Sequence, residues 1–440
     1  MSSKLGLRLE DKNEWERRVA LIPKDVEDLV SKGVDVRVER FARRAFADDR
    51  YEASGATLAS DVRDCDIVLG IKEMPLGYFR NDGAYMFFSH TIKGQPYNMK
   101  MLAELVEKRC TLFDYEVVTD DKGRRLIFFG RFAGLAGMID TLWTLGLRLK
   151  ALGHETPLLD IQPSHVYEDL EAAKEAVARA GKRIETEGLP SFMAPTVFGF
   201  TGYGHVSQGA QEIIELLPHV EVAPGDLASF VNKNGDMTDK VAKVVYREED
   251  LVEHASSPTV FNLEDYYDNG ENYRSIFQPH LELLTVIVNG IYWDERYPKL
   301  ADAEQLKDLF AGDPPRLLAV GDITCDVDGS MACTVRDTEP GDPSYVYNAA
   351  TREAPSGFDG PGLAVMAVGN LPCELPREAS AMFSHALTPY IPAMVQADLS
   401  EKDFEKVSLP EPIKRSIILW HGEFTSEYEY MQDFLAQGTD

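Results

Sequence analysis

Positive charge is scarce in this chain of 440 residues. Forty-five Lys+Arg face 73 Asp+Glu, a net charge of −28. Such a field repels phosphate backbones and anionic lipid surfaces, so neither nucleic acid nor a membrane is an expected partner. The acidic excess is spread along the chain, as a solubility device would be. Long apolar runs are also missing. No stretch approaches about 18 residues, so no transmembrane helix is expected. The opening MSSKLGLRLEDKNEWERR lacks the apolar centre of a signal peptide. Cysteine is sparse: Cys65, Cys110, Cys325, Cys333 and Cys373 are odd in number and widely spaced. A disulfide framework or a bound metal is therefore not expected, and reduced thiols in a cytoplasmic compartment fit better. No repeat and no low-complexity tract is visible.

What is present is an alternation of strands and helices. At about 150 residues per domain, the length suggests two or three domains. LGLRLE, VDVRVER, DCDIVLGIKE, AYMFFSHT and TLFDYEVV read as strands. Helices at 24–32 and 98–108 lie among them, and helices between strands imply parallel pairing. The segment 132–152 is apolar nearly all round, which predicts a buried helix whose small residues (Ala133, Gly134, Ala136, Gly137) permit close packing. A polar helix at 167–186 precedes a second α/β block. There PTVFGF, HVEVA, VAKVVY, LLTVIVNGIYW and PRLLAVGDIT are strands and 205–216 a helix. Beyond a Pro- and Gly-rich stretch at 339–362, GLAVMAVGN reads as a strand and 377–396 and 428–437 as helices. The helix after Pro376 is too apolar to stand alone and is expected to return to the first block.

The sharpest local signal is TGYGHVSQGAQ (201–211). Gly202 and Gly204 open a G-x-G-x-x-G pattern between a strand and a helix, where glycine lets the backbone approach a pyrophosphate at a helix N-terminus. Ser207 stands at the third glycine position. An ordinary strand–turn–helix is the plain alternative. The next strand in sequence ends Val222-Ala223-Pro224, with no acidic residue at its tip to hold a ribose 2′-hydroxyl and no nearby arginine for a 2′-phosphate. NAD versus NADP stays open on this ground, with a lean to NADP(H) because no carboxylate stands there to repel its phosphate.

In a parallel sheet, ligands gather beyond the carboxyl ends of the strands. Lys72, His90 and Glu116 all fall at such ends, and Arg124, Arg125 and Arg131 bracket a strand LIFF. Each has a plain alternative: a solvated strand end for Lys72, a satisfied loop histidine for His90, an ion pair with Glu14 or Glu16 for Arg18. Together, cations at several strand ends of an acidic protein suggest an anion site.

Eight segments then carry a resemblance. In order they are WERRVALIP (15–23), GIKEMP (70–75), FFSHTIKGQ (87–95), DYE (114–116), GRFAGLAGM (130–138), TGYGHVSQGAQ (201–211), VNGIYW (288–293) and NLPCELP (370–376). The series resembles the lysine–ketoglutarate reductase domain, the lysine-forming saccharopine dehydrogenase half of bifunctional aminoadipic semialdehyde synthase. More distantly it resembles alanine dehydrogenase and the transhydrogenase α subunit. The resemblance implies reversible, nicotinamide-dependent condensation of lysine and 2-oxoglutarate to saccharopine. It implies Lys72 and His90 as the acid–base pair, with Glu116 a carboxylate close by. Arg18, Lys93, Gln95, Arg125 and Phe129 are implied substrate contacts. Arg124, Gly202, Tyr203, Gly204, His205, Val206, Ser207, Asp322, Ile323 and Thr324 are implied cofactor contacts. A separate glutamate-forming saccharopine dehydrogenase in the same pathway and assembly into a homo-oligomer are both left open.

The chemistry of the residues agrees. Imine formation needs a base to free the amine and an acid to protonate the carbinolamine oxygen. Histidine suits one role, and a lysine whose pKa is lowered suits the other. Guanidinium forks match the product's carboxylates. Two other readings remain: an alanine-dehydrogenase-like or opine-forming dehydrogenase with another amine, and a nucleotide-binding regulator without turnover. The expected architecture is α/β, with two Rossmann-like domains of parallel strands and the active site in the cleft between them. A discontinuous substrate domain (1–132 plus 325–440) would enclose a dinucleotide domain (133–324).

Overall fold

The computed structural model describes residues 3–257, 261–312 and 315–438. The chain divides into two compact units, Met1–Phe129 with Pro376–Asp440, and Gly130–Leu375. The first unit begins with β1 (Lys4–Leu7), β2 (Asp35–Glu39), β3 (Thr57–Ala59), β4 (Ile67–Leu69), β5 (Ala84–Phe87) and β6 (Thr111–Asp114). The second holds β7 (Thr196–Thr201), β8 (His219–Glu221), β9 (Val241–Tyr246), β10 (Val252–His254), β11 (Tyr273–Ser275), β12 (Val286–Asn289), β13 (Ala319–Asp322), β14 (Ser344–Tyr347) and β15 (Leu363–Met366). The chain re-enters the first unit with β16 (Ile417–Trp420) and β17 (Glu423–Phe424).

In the first unit the sheet runs β17-β16-β6-β5-β4-β1-β2-β3. Pairing is parallel from β6 to β3, and the β16–β17 edge is antiparallel. The central strands β4 and β5 are buried at every residue, as strands covered on both faces must be. The helix Pro376–Leu387 does return to this unit. Phe383 and Leu387 join Leu5, Leu7, Leu69, Met86 and Phe113 in one core. Ser380 Oγ and Ser384 Oγ accept the backbone N–H groups of Val19 and Ile22, both at 2.9 Å.

The second sheet runs β14-β15-β13-β12-β7-β9-β8, parallel except for β14. The expected return to the first domain near Asp322 is corrected here. β15 pairs with β13 in parallel register, Ala319 opposite Ala364, so the chain stays in the second unit to Leu375. Two strand readings also change. LIFF is not a strand; the chain turns so that Thr119 bridges Arg125 antiparallel. The run VNGIYW leaves the sheet at Asn289.

The apolar helix spans Gly130–Ala151 and crosses the helix His205–Ile214 at backbone contact distance. A Cβ on Gly134 would lie 1.9 Å from Val206 O, and one on Gly209 would lie 2.2 Å from Arg131 O. Alanine favours a helix by about 1 kcal/mol over glycine, but a backbone carbonyl cannot rotate away. A Gly134→Ala variant is expected to lose about 1–3 kcal/mol, read as a lower midpoint in denaturant melts. A midpoint at or above wild type would show that the helices part at no cost.

Candidate active site

The loops after β4, β5 and β6 leave the sheet side by side. Leu69 pairs with Met86 and Phe87 with Asp114, and the Phe88 N–H to Ile71 carbonyl bond (3.0 Å) carries the ladder past the strand ends. Lys72 and His90 therefore each stand three residues beyond neighbouring parallel strands, with Glu116 two residues beyond the next. The sheet brings together what the sequence placed at strand ends.

Lys72 is held from below by Glu10. This fully enclosed carboxylate accepts the backbone N–H groups of Ile71 (2.6 Å) and Lys72 (3.0 Å). Burial, then the charge of Glu16, pushes the Glu10 carboxyl up to about 7. The Lys72 ammonium is half-buried, and it is lowered by desolvation first and the Arg18 guanidinium second, against the opposing charges of Glu16 and Glu73. Nothing in the sequence reading singled out Glu10, because its partner is a backbone 61 residues away.

His90 has φ 48°, a left-handed conformation uncommon for a residue with a Cβ. Asn98 holds it there, its Nδ2 donating to the carbonyls of Ser89 (2.9 Å) and His90 (3.2 Å). The carboxylate on the imidazole is Glu73, with Oε1 at 2.7 Å from Nδ1. Lys12 Nζ lies 2.7 Å from Glu73 Oε2. Burial alone would raise the Glu73 carboxyl, but the bonds and charges of His90 and Lys12 outweigh it and hold the group well below the usual carboxylate range. An ionised acceptor makes Nδ1 the donor and aims Nε2 away from Glu73. The signal was available, since Glu73 follows Lys72 directly. Replacing Glu73 with glutamine is expected to lower kcat about tenfold or more by releasing the tautomer. The loss should be flat over the ordinary assay range, because the wild-type carboxylate is ionised throughout it. A wild-type kcat would rule out this orienting role.

Glu116 takes a different partner: its Oε1 accepts from Arg125 Nη2 at 2.5 Å. Asp114 lies beneath, fully buried, accepting the N–H of Ser89 (3.0 Å) and of Glu116 (2.7 Å). Burial moves its carboxyl up to about 6. Arg18 is paired with Glu16, Nε–Oε1 2.8 Å and Nη2–Oε2 2.5 Å. Both side chains are enclosed, so this is no surface pair. The Arg18 guanidinium sits 4.3 Å above the Phe129 ring, which stacks on Phe383 at 4.8 Å. Phe88 joins His90 (6.2 Å) to Phe129 (6.0 Å) in the same aromatic wall. Lys93 is exposed, and its backbone N–H donates to Gln95 Oε1 at 3.2 Å. Arg124 is an exposed side chain bound to Asp120.

In the second unit β7 runs into Gly202, whose φ of +81° suits only glycine and whose Cβ would fall 2.9 Å from Ile291 Cγ2. Gly204 is the N-cap of the helix His205–Ile214, which has no side-chain cap. The N–H groups of its first turn, at His205, Val206 and Ser207, thus face outward for an anion. Ser207 is buried in this first turn, and its Oγ accepts from Gln211 Nε2 at 3.0 Å. Asp322, the last residue of β13, is fully buried. It accepts from Asn289 Nδ2 and Thr324 Oγ1, both at 2.8 Å, and from Cys325 N at 3.2 Å. Ile323 N–H donates to the Asn289 carbonyl at 3.0 Å. A cavity of 270 Å³ opens beside the glycine turn, lined by Gly202, Tyr203, Gly204, Glu248, Tyr267 and Ile291 among others. The uncapped turn and this cavity fit a dinucleotide.

Among the described residues no two cysteines are joined in a disulfide. Among the described residues no group of His, Cys, Asp and Glu could hold a metal ion, and no helix is long and apolar enough to cross a membrane.

Residues 6–136 match the family model described as alanine dehydrogenase/PNT, N-terminal domain. α-Aminoadipic semialdehyde synthase of Arabidopsis thaliana is 38% identical, the match spanning 97% of this chain and 41% of that protein. The mitochondrial α-aminoadipic semialdehyde synthase of Mus musculus is 34% identical over 97% of this chain and 47% of its own length. The chain thus spans less than half the length of these relatives. Saccharopine dehydrogenase (NAD(+), L-lysine-forming) of Emericella nidulans is 29% identical over 88% of this chain and 91% of its own. Among solved structures, an L-alanine dehydrogenase superposes with a TM-score of 0.63 at 17% identity, covering 99% of this chain and 100% of that one. That likeness is one of fold: two Rossmann-like units of mostly parallel sheet. Residues 6–136 are thus similar to the alanine dehydrogenase/PNT N-terminal domain, and the likeness to the aminoadipic semialdehyde synthases and saccharopine dehydrogenases extends over nearly the whole chain.

Proposed function

We propose that this chain is a nicotinamide-dependent oxidoreductase that reductively joins the ε-amine of lysine to 2-oxoglutarate, giving saccharopine, and that runs the reverse oxidative cleavage. The observation that carries the reading is the polar group at the ends of β4 and β5. It contains a lysine with a lowered pKa, an imidazole fixed by an ionised carboxylate, and the guanidinium of Arg18 nearby. The likeness to saccharopine dehydrogenase (L-lysine-forming) and α-aminoadipic semialdehyde synthase favours lysine as the amine.

In the forward direction Lys72, neutral more readily than an exposed lysine, takes the proton from the substrate ammonium. The freed amine adds to the ketone. His90, with Nδ1 engaged by Glu73, gives a proton from Nε2 to the carbinolamine oxygen, which leaves as water. A bound reduced nicotinamide would supply the hydride that converts the imine to the secondary amine. Arg125 and Lys93, both solvent-facing, receive substrate carboxylates, Gln95 orients beside Lys93, and Phe129 backs the pocket. In the second unit the Gly202–Ser207 turn would hold the pyrophosphate, with Tyr203, His205 and Val206 around it, and Asp322, Ile323 and Thr324 would border the nicotinamide end.

The test is loss of absorbance of the reduced nicotinamide with 2-oxoglutarate and either lysine or ammonia. Turnover with lysine and none with ammonia is expected. Turnover with ammonia alone would move the chain to the alanine-dehydrogenase type of reaction.

A further inference from the structure

Which dinucleotide the second unit takes depends on the strand beside β7, and that strand is not the next one in sequence. β8 lies at the sheet edge; β9 pairs with β7 along its whole length, Thr201 opposite Tyr246. The Gly202 N–H donates to the Tyr246 carbonyl at 3.0 Å, tying the glycine turn to the tip of β9. In this fold, the residues just past that tip meet the adenosine ribose. Here they are Arg247 and Glu248, not the Val222-Ala223-Pro224 that followed β8. The reason for favouring NADP(H), an absent carboxylate, therefore rested on the wrong strand.

Resting on the dinucleotide reading above, we propose that Glu248 receives the 2′- and 3′-hydroxyls of the adenosine ribose and makes this chain selective for NAD(H) over NADP(H). Glu248 lines the cavity that Gly202, Tyr203 and Gly204 also line. Its Oε1 accepts from the Tyr267 hydroxyl at 3.0 Å. Its Oε2 is buried and accepts no hydrogen bond of good geometry, although the Tyr203 hydroxyl also acts on this carboxylate, and a buried acceptor so poorly satisfied is uncommon. A ribose diol offers two O–H donors to such a carboxylate. A 2′-phosphate offers none, and it would place a dianion against Glu248 with Glu249 and Asp250 following. Arg247 is the competing feature. Its guanidinium lies over the Tyr203 ring, 4.7 Å from the centroid, and it does not line the cavity. There it suits stacking by an adenine better than gripping a phosphate.

The experiment is calorimetric titration of the full chain with NADH, NADPH, ADP-ribose and 2′-phospho-ADP-ribose, in wild type, Glu248→Gln, Glu248→Ser and Arg247→Ala. Wild type is expected to bind NADH at least about tenfold tighter than NADPH, since juxtaposed like charges disfavour the second. Both Glu248 variants should narrow that ratio to about threefold or less, and the two fragments should follow the same order. Arg247→Ala should weaken both dinucleotides alike. Equal affinities, tighter NADPH, or an unchanged ratio in both Glu248 variants would overturn the role of Glu248 while leaving the dinucleotide site standing. Failure of wild type to bind either dinucleotide would overturn both.

Discussion

A Lys72→Met enzyme is expected to lose about 10²–10⁴-fold in kcat, the usual scale for removing a general base or acid, while its affinity for the reduced dinucleotide changes less than about twofold. His90→Gln should behave alike. The two losses should not multiply in the double variant, because both groups serve one proton-transfer sequence. The separation of effects follows from where the residues sit. Lys72 and His90 extend from the first sheet, whereas the glycine turn belongs to the second unit. The pH dependence follows from the lowered Lys72 pKa. The base must be neutral, so kcat/KM falls as pH drops through its pKa. Because burial and Arg18 lower that value, the acid limb lies below where an exposed lysine, at about 10.4, would put it. Both variants turning over at wild-type rates would remove the acid–base assignment.

How much of this could be read beforehand depended on whether the cause was local. Strand ends are local: an apolar run that stops at Leu69 or Phe87 announces a residue three places on, so Lys72 and His90 were legible. The helix 130–151 was legible for the same reason, since burial on all sides leaves no polar stripe. Partners were not. Glu10 supports Lys72 through backbone N–H groups 61 residues away, and Phe383 reaches Phe129 from the far end of the chain. The sheet orders were also illegible. Nothing in HVEVA or VAKVVY says which lies next to β7, and that order decides whether the tip beside the cofactor is apolar or carries Glu248. The crossing back to the first unit was missed because β15 extends the second sheet through a long Pro- and Gly-rich excursion that reads as surface loop.

The buried Arg18–Glu16 pair gives the largest expected change in stability. Both side chains are enclosed and joined by a two-point fork. Removing one partner leaves the other charge enclosed without its two-point fork, which costs about 3–5 kcal/mol. For a unit of this size that is about 10 °C in Tm, so Arg18→Met alone should melt far below wild type. Removing both charges is different: replacing a buried pair with apolar side chains of similar volume is often neutral, and Phe129 already supplies an apolar ceiling. Arg18→Met with Glu16→Leu should therefore recover most of the lost Tm. Activity should not recover with it. Of the two charges, Arg18 has the larger influence on Lys72, lowering its pKa, and Glu16 the smaller, raising it. In the single variant the lowering by Arg18 is gone while Glu16 still raises the Lys72 pKa, so Lys72 holds its proton to higher pH and the acid limb of kcat/KM moves up. The double variant should show a smaller upward move. The limb positions thus order as single above double above wild type, while the melting temperatures order as single below double. A pair that only braces the fold would shift the melts and leave the limb in place. A pair that only grips substrate would raise KM and leave both unmoved.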